Sequence, residues 1–296
     1  MALEKKCPTM NACGVTFATL GDSDGDACLF NGLLASVGYH IGSMGVSQSQ
    51  AQDGEYNPGM FYRSPRRRSF GKNQHGEPYF SRDMALGVLC YLATRDKYIT
   101  YPKAKAWLKY IDKTSKCKVK KPRFLGGGCI IKSPYHFAPD EDGRSRITPI
   151  MHATMERVWR KNGWPRTHEM KKYRSIDTDL SVISAETVDK GYALHLCAVQ
   201  AYIKWIVGQS KEYSMKVGRI AHERVENNLF YELLATRKVT NSMLDRYLEM
   251  KPSLDQDFAN CNGWVWEKSE VTEERIKKSP GWDWIMVGKL LLDHSN

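Results

Sequence analysis

The sequence lacks any uninterrupted apolar run of about eighteen residues, the least a helix needs to cross a bilayer, so no membrane insertion is expected. Its opening residues, Met1 to Met10, lack the basic segment followed by an apolar stretch that marks a secretory signal, and the expected location is cytoplasmic or virion-associated. No two of the cysteines form a CxxC pair, which argues against a zinc ribbon or a thioredoxin-type redox site. Exact repeats and low-complexity tracts are missing, and strand signals are scarce: only Cys129 to Lys132 reads as a short extended segment. The run Gly21-Asp22-Ser23-Asp24-Gly25-Asp26 alternates aspartates as a calcium loop does. Counted from Asp22, however, the position where an EF-hand needs a bidentate glutamate is Leu33. No metal and no cofactor are therefore expected.

What the chain has is apolar and aromatic mass. Of 296 residues, 42% are hydrophobic, and eight Trp and fifteen Tyr stand among them. That is enough to bury a sizeable core, and one α-helical domain spanning residues 1–296 is expected. The net charge of +11 favours an acidic partner, whether nucleic acid, an anionic membrane surface or an acidic polymer; a merely solvated basic surface is the bland reading. The eight cysteines are scattered. Cys28, Cys90 and Cys197 lie in apolar helical stretches and read as reduced core thiols. Cys7 and Cys13 are close enough in sequence to pair in an oxidising compartment, although nothing requires it.

Apolar spacing at helical period predicts helices over Asp26–Val37, Ser81–Thr94, Pro102–Lys113, Pro149–Lys161, Val188–Val207, Met215–Ala235, Ser242–Met250 and Trp282–Leu292. In the first, Leu29, Phe30, Leu33, Leu34 and Val37 share one face. The second has Ser81 as its expected cap and is apolar on most of its circumference, so it should be deeply buried, with Gly87 allowing another helix to come close. Pro102 suits a first turn. Between these stretches, Gly38–Phe80 and Lys113–Thr148 are long segments carrying Tyr, Phe, Arg and His, which suits a binding surface.

Five constellations are candidates for chemistry. Asp26 opens a helix and either caps it or faces a cleft. Arg63, Arg66, Arg67 and Arg68, beside Phe61, Tyr62 and Phe70, form either a solvated basic loop or an anion-binding patch, because guanidinium is a bidentate partner for carboxylate or phosphate. Arg82 and Asp83 start an otherwise apolar helix, where charges need partners or a cleft. His195 sits in an apolar helix with Tyr192 one turn earlier; such a histidine is either a satisfied core residue or a catalyst. Trp264, Trp266, Trp282 and Trp284, with Glu267 and Asp283 among them, are either core or a stacking platform for sugar faces.

The segments Gly25–Ala35, Phe80–Gly87, Ala193–Leu196, Asn227–Leu234 and Gly281–Asp283, with Trp264 and Trp266, resemble helix starts in (α/α) toroid carbohydrate-active proteins. That group includes unsaturated glucuronyl hydrolases and polysaccharide lyases. The resemblance implies an all-α fold, an (α/α) toroid or an incomplete one with long decorated loops, since eight or nine helices are fewer than the twelve of a full toroid. It implies an open cleft at one end, an aspartate acid/base, for which Asp83 and Asp26 match, and an arginine for a uronate carboxylate, for which Arg82 and Arg63 match. In lyases of this architecture histidine and tyrosine do the proton work; His195 and Tyr192 are the nearest fit. Arg66, Trp264 and Trp266 complete the expected substrate-binding set. The compact, signal-less chain is also similar in character to proteins of tailed phages. The expected function is binding and cleavage of an acidic polysaccharide by a hydrolase or lyase. The alternatives are a non-catalytic virion component docking to other virion proteins, and a nucleic-acid-binding protein using the Arg63–Arg68 and Lys113–Arg123 segments, although no nucleic-acid fold signature is present.

Overall fold

A computed structural model describes residues 2–12, 14–21, 23–49, 58–70, 80–122, 124, 126–139, 144–175, 177–209, 211–254 and 264–295. The possible partner of Cys7, Cys13, and Asp22 of the aspartate run lie outside the described residues. The described chain is mostly α-helical, as the apolar spacing predicts. Its helices are α1 (Ala2–Lys6), α2 (Ala27–Ser36), α3 (His40–Gly45), α4 (Pro65–Phe70), α5 (Arg82–Thr94), α6 (Lys97–Thr114), α7 (Pro149–Asn162), α8 (His168–Lys172) and α9 (Asp177–Thr187). There follow α10 (Tyr192–Ile206), α11 (Lys211–Arg224), α12 (Leu229–Thr236), α13 (Asn241–Glu249), α14 (Glu273–Lys277) and α15 (Trp282–Asp293). Two antiparallel pairs of strands, β1 (Thr9–Ala12) with β2 (Val15–Ala18) and β3 (Cys117–Lys120) with β4 (Cys129–Lys132), accompany the helices.

Several boundaries depart from the sequence reading for identifiable reasons. The Met215–Ala235 stretch is two helices, because Asn227 takes a left-handed backbone (φ 62°) and the Asn228 side chain caps α12 by accepting from the Tyr231 amide at 3.2 Å. The Val188–Val207 stretch starts later, at Tyr192, behind Gly191 at φ 98°. Pro102 does not open its helix. It lies inside α6, which begins at Lys97 behind the cap of Asp96. The described parts of the long segments hold further elements: Gly38–Phe80 contains α3 and α4, and Lys113–Thr148 contains the β3–β4 hairpin, whose Cys117 and Cys129 are disulfide-bonded. That pairing is not visible as a sequence motif. Cys28 and Cys90 are buried thiols whose burial pushes their pKa well up, and Cys197 is half-buried.

One buried cluster runs from Leu3 to Leu291. At its centre α2 is surrounded rather than one-faced: Cys28, Asn31 and Gly32 are buried along with the expected apolar face. Two glycines explain how. A Cβ on Gly32 would stand 2.0 Å from the Gly87 carbonyl oxygen, and one on Gly87 would stand 2.2 Å from that of Cys28. The α2 and α5 backbones therefore touch, as Gly87 predicts. Asn31 ties α2 to the first hairpin, exchanging hydrogen bonds with the Ala18 amide and carbonyl at 3.1 and 2.9 Å. Helices α2, α5, α7, α10, α12 and α15 each contact the next in that order, and α15 contacts α2 again. Trp282 of α15 also donates its indole N–H to the Pro8 carbonyl at 2.8 Å, so the two ends of the chain pack together. No helix among the described residues is long and apolar enough to cross a membrane.

Candidate functional site

The N-terminal ends of α2, α5 and α10 converge on an open cleft of about 340 Å³. Asp26 comes from the residue before α2, Arg82 and Asp83 from the first turn of α5, Tyr192 from the first residue of α10, and Arg63 and Arg144 from the intervening segments. Helix starts carry a positive potential, so this end of the bundle is suited to anions. Of the sequence-predicted residues, Asp26, Arg63, Arg82, Asp83 and Tyr192 meet here.

Their side chains serve the cleft rather than the helix ends. Neither Asp26 nor Ser81 makes a side-chain cap bond, although each occupies its cap position. Asp26 instead pairs with Arg63, Oδ1 to Nη1 at 3.1 Å, and the same guanidinium donates to the Gly25 carbonyl at 2.8 Å. Arg63 is 6% exposed and Asp26 28%, so the pair has a buried cation and a carboxylate that reaches solvent. Asp83 is half-buried, and its Oδ2 accepts the Tyr192 hydroxyl at 2.5 Å. Burial, and next the negative charges of Asp83 and Asp26, push the Tyr192 pKa far up, so the phenol keeps its proton and acts as a donor. Arg82 and Arg144 are exposed.

The structure puts the remaining expected site residues elsewhere. Arg66 leaves the cleft for the buried Asp24, with bonds of 3.3 and 3.0 Å from Nε and Nη2. Ser64 donates to the same carboxylate at 2.6 Å, and Arg67 lies 3.6 Å from it. Burial alone would raise the Asp24 pKa. The Arg66 and Ser64 hydrogen bonds and the Arg67 charge outweigh it and hold the carboxyl below its usual range. The basic loop is thus largely an internal charge network, in which Arg63 engages Asp26 and Arg66 and Arg67 engage Asp24. His195 is turned into the core, 1% exposed, with its ring 5.8 Å from that of Phe230. Burial lowers its pKa to about 3, against a partial opposing effect of the Trp266 backbone, so it is a neutral core ring outside the cleft. Trp264 and Trp266 are 0% and 2% exposed, and Trp264 stacks on Phe30. They offer no face to a sugar.

Glu267 is the residue whose importance the sequence hides. It is 7% exposed, with Oε1 3.0 Å from Lys268 Nζ and a buried Oε2 that has no hydrogen-bond partner. Burial pushes its pKa up to about 7. The Lys268 charge and hydrogen bond oppose the rise, and Asp26 and Asp283 add to it. Its charge also acts on Tyr192. The 264–267 segment is fixed by the buried Asp283, which accepts from the Val265 amide at 2.5 Å and from Ser279 at 2.6 Å. A glutamate between tryptophans reads as part of an aromatic cluster; only the fold brings it near α2 and α10.

Fold and site together define a mostly α-helical protein with an arginine- and carboxylate-lined cleft at its helix starts. No protein-family model, no curated protein and no solved structure matches the chain.

Proposed function

We propose that this cleft binds and cleaves an acidic polysaccharide, and that the helices around it form an (α/α) toroid. The toroid reading is supported by the order of contacts α2, α5, α7, α10, α12, α15 and back to α2, within which α5 and α10 also touch directly. Each successive pair is separated in sequence by at least one other helix, the alternation of inner and outer helices that a toroid needs.

The observation that carries the activity is the meeting of Asp26, Asp83 and Tyr192 with three arginines in one open cleft. Arg82 and Arg144 bind the uronate carboxylates, because guanidinium matches carboxylate geometry. Arg63 pairs with Asp26 and holds its carboxyl group at the cleft. Asp83 is the acid/base, oriented by the Tyr192 hydroxyl. Hydrolysis fits better than β-elimination. A lyase needs a base to take a proton beside the carboxylate, yet Tyr192 holds its proton tightly and His195 lies in the core. Two carboxylates across the bond are the hydrolase requirement, and Asp26 and Asp83 are the pair. With the tryptophans buried, recognition rests on charge and on hydroxyl contacts rather than on a stacking platform.

Asp83→Asn tests this reading. It keeps the shape and a hydrogen-bond partner for Tyr192 but removes the ionisable group. Turnover on a uronate-containing glycan, followed as new reducing ends, should fall by roughly 10²–10⁴-fold, with little change in Tm. An ultraviolet-absorbing unsaturated product would move the reaction to the lyase class. Wild-type protein inert on a broad glycan panel would move it to the non-catalytic docking role.

A further inference from the structure

A second, larger cleft of about 630 Å³ adjoins the first through a single ridge of chain. Arg144 lines the first cleft and Arg146 the second, and Ser145 between them is fully buried. The ridge is pinned on both sides. The Ser145 carbonyl accepts from the Phe137 amide at 2.9 Å, its hydroxyl donates to Ala138 at 2.9 Å, and the Ile147 amide donates to Tyr135 at 2.9 Å. On the α5 side the Arg82 amide donates to the Arg144 carbonyl at 3.3 Å. Residues 136 and 146 pair as an isolated antiparallel bridge, and Arg144 lies in the turn that leads into it, so Arg144 and Arg146 are held two residues apart on one pinned segment.

The second cleft has the chemistry of an anionic sugar site. Exposed Lys132, Arg146 and Lys172 line it against one carboxylate among the described lining residues, Glu169. Its wall includes His152, whose ring stacks on Tyr173 at 5.7 Å and meets Tyr135 edge-on at 5.8 Å. His152 is 6% exposed and its Nδ1 is buried without a hydrogen-bond partner. Burial holds it neutral, with a pKa of about 4 that the Glu169 charge only partly offsets. The half-buried Tyr135 and Tyr173 suit sugar hydroxyls and faces, while the three cations suit carboxylates.

We propose that one acidic polysaccharide chain lies across the Arg144–Arg146 ridge, with the cleaved linkage in the first cleft and a neighbouring stretch of sugars in the second. The protein then reads a run of several sugars rather than a chain end. This rests on the reading of the first cleft above, and binding to the full-length protein separates the two. The probes are the uronate polymers alginate, polygalacturonate and hyaluronan, and a trisaccharide cut from whichever polymer binds, titrated by calorimetry. Arg146→Glu/Lys172→Glu should weaken the polymer by about tenfold or more and leave the trisaccharide unchanged. Arg82→Glu should weaken both. Lys277→Glu/Lys278→Glu, at two exposed positions of α14, makes the same change in overall charge and is the control. If the Arg146/Lys172 variant weakens the polymer no more than Lys277→Glu/Lys278→Glu does, the second cleft is no part of the site. If Arg82→Glu leaves polymer affinity intact, or no polymer binds, the reading of the first cleft falls and the ridge-crossing chain with it. Equal loss of polymer and trisaccharide in the Arg146/Lys172 variant would also overturn the extended site, since both ligands would then occupy the second cleft.

Discussion

Glu267 illustrates how a single buried carboxyl ties stability to pH. Burial raises its folded-state pKa from 4.5 to about 7. Folding therefore favours the protonated form. The stability this contributes is complete below pH 4.5 and is lost as pH rises through 7, where the folded protein must hold an ionised carboxylate in a nearly dry site. Lys268, itself partly exposed, offsets only part of that cost. Replacing Glu267 with glutamine should flatten this dependence. Relative to wild type, the variant should gain stability between pH 5 and pH 8, on the order of 3 kcal/mol at the upper end, measured as denaturant midpoints at the two pH values. Parallel curves for the two proteins would remove Glu267 as the titrating group. The same ionisation adds negative charge near Asp26 and Tyr192, so binding of an anionic glycan should weaken above pH 7 in wild type and less so in Glu267→Gln.

At the scale of elements, the α2–α5 contact sets the cleft, because it fixes the distance between the helix starts that carry Asp26 and Asp83. The contact exists because Gly32 and Gly87 bring two backbones together without intervening side chains. Gly87→Ala would place a methyl 2.2 Å from a backbone carbonyl oxygen, and neither helix can yield locally. The helices must separate, at a cost of about 1–3 kcal/mol or more. Thermal unfolding should show a Tm lower by roughly 3–10 °C, and turnover should drop because Asp83 shifts relative to Asp26. An unchanged Tm would mean the helices slide apart freely, against the packed core around them. The β3–β4 hairpin is a different kind of element, exposed along β3 and tied by its disulfide. It contributes Cys129 and Lys132 to the second cleft.

The whole molecule is closed by its last helix. Helix α15 contacts α2 and α12, Trp282 bonds to Pro8, and Asp283 holds the segment bearing Glu267. Removing residues 282–296 should therefore do more than fray one end. It exposes the faces of two core helices and leaves the Val265 amide without its acceptor, so the far-ultraviolet helical signal and the cooperative unfolding transition should both be lost. A truncated protein that still unfolds in one sharp transition at a similar temperature would show that α15 is an appendage, and the closed order of helices would lose its energetic meaning.

The sequence by itself determined the helices and the charge. Apolar period placed α2, α5, α7, α10 and α15 near their true bounds, and the polar openings at Asp26 and Arg82–Asp83 stood out because charges at the start of a buried helix need a partner. Local chemistry is enough for such inferences, since helix period and helix ends are short-range properties. Tertiary structure decided which of those polar groups share a cleft and which do not. Arg63 and Arg66 are equivalent in the sequence, yet one faces Asp26 and the other Asp24. Tyr192 and His195 lie one turn apart on one helix, yet the first reaches Asp83 and the second enters the core. Trp264 and Trp266 look like a platform and are packing, while Glu267 between them and α14 gains its raised pKa first from burial in the fold, with smaller additions from Asp26 and Asp283. Burial and charge environment are sums over residues distant in sequence, so no local pattern contains them.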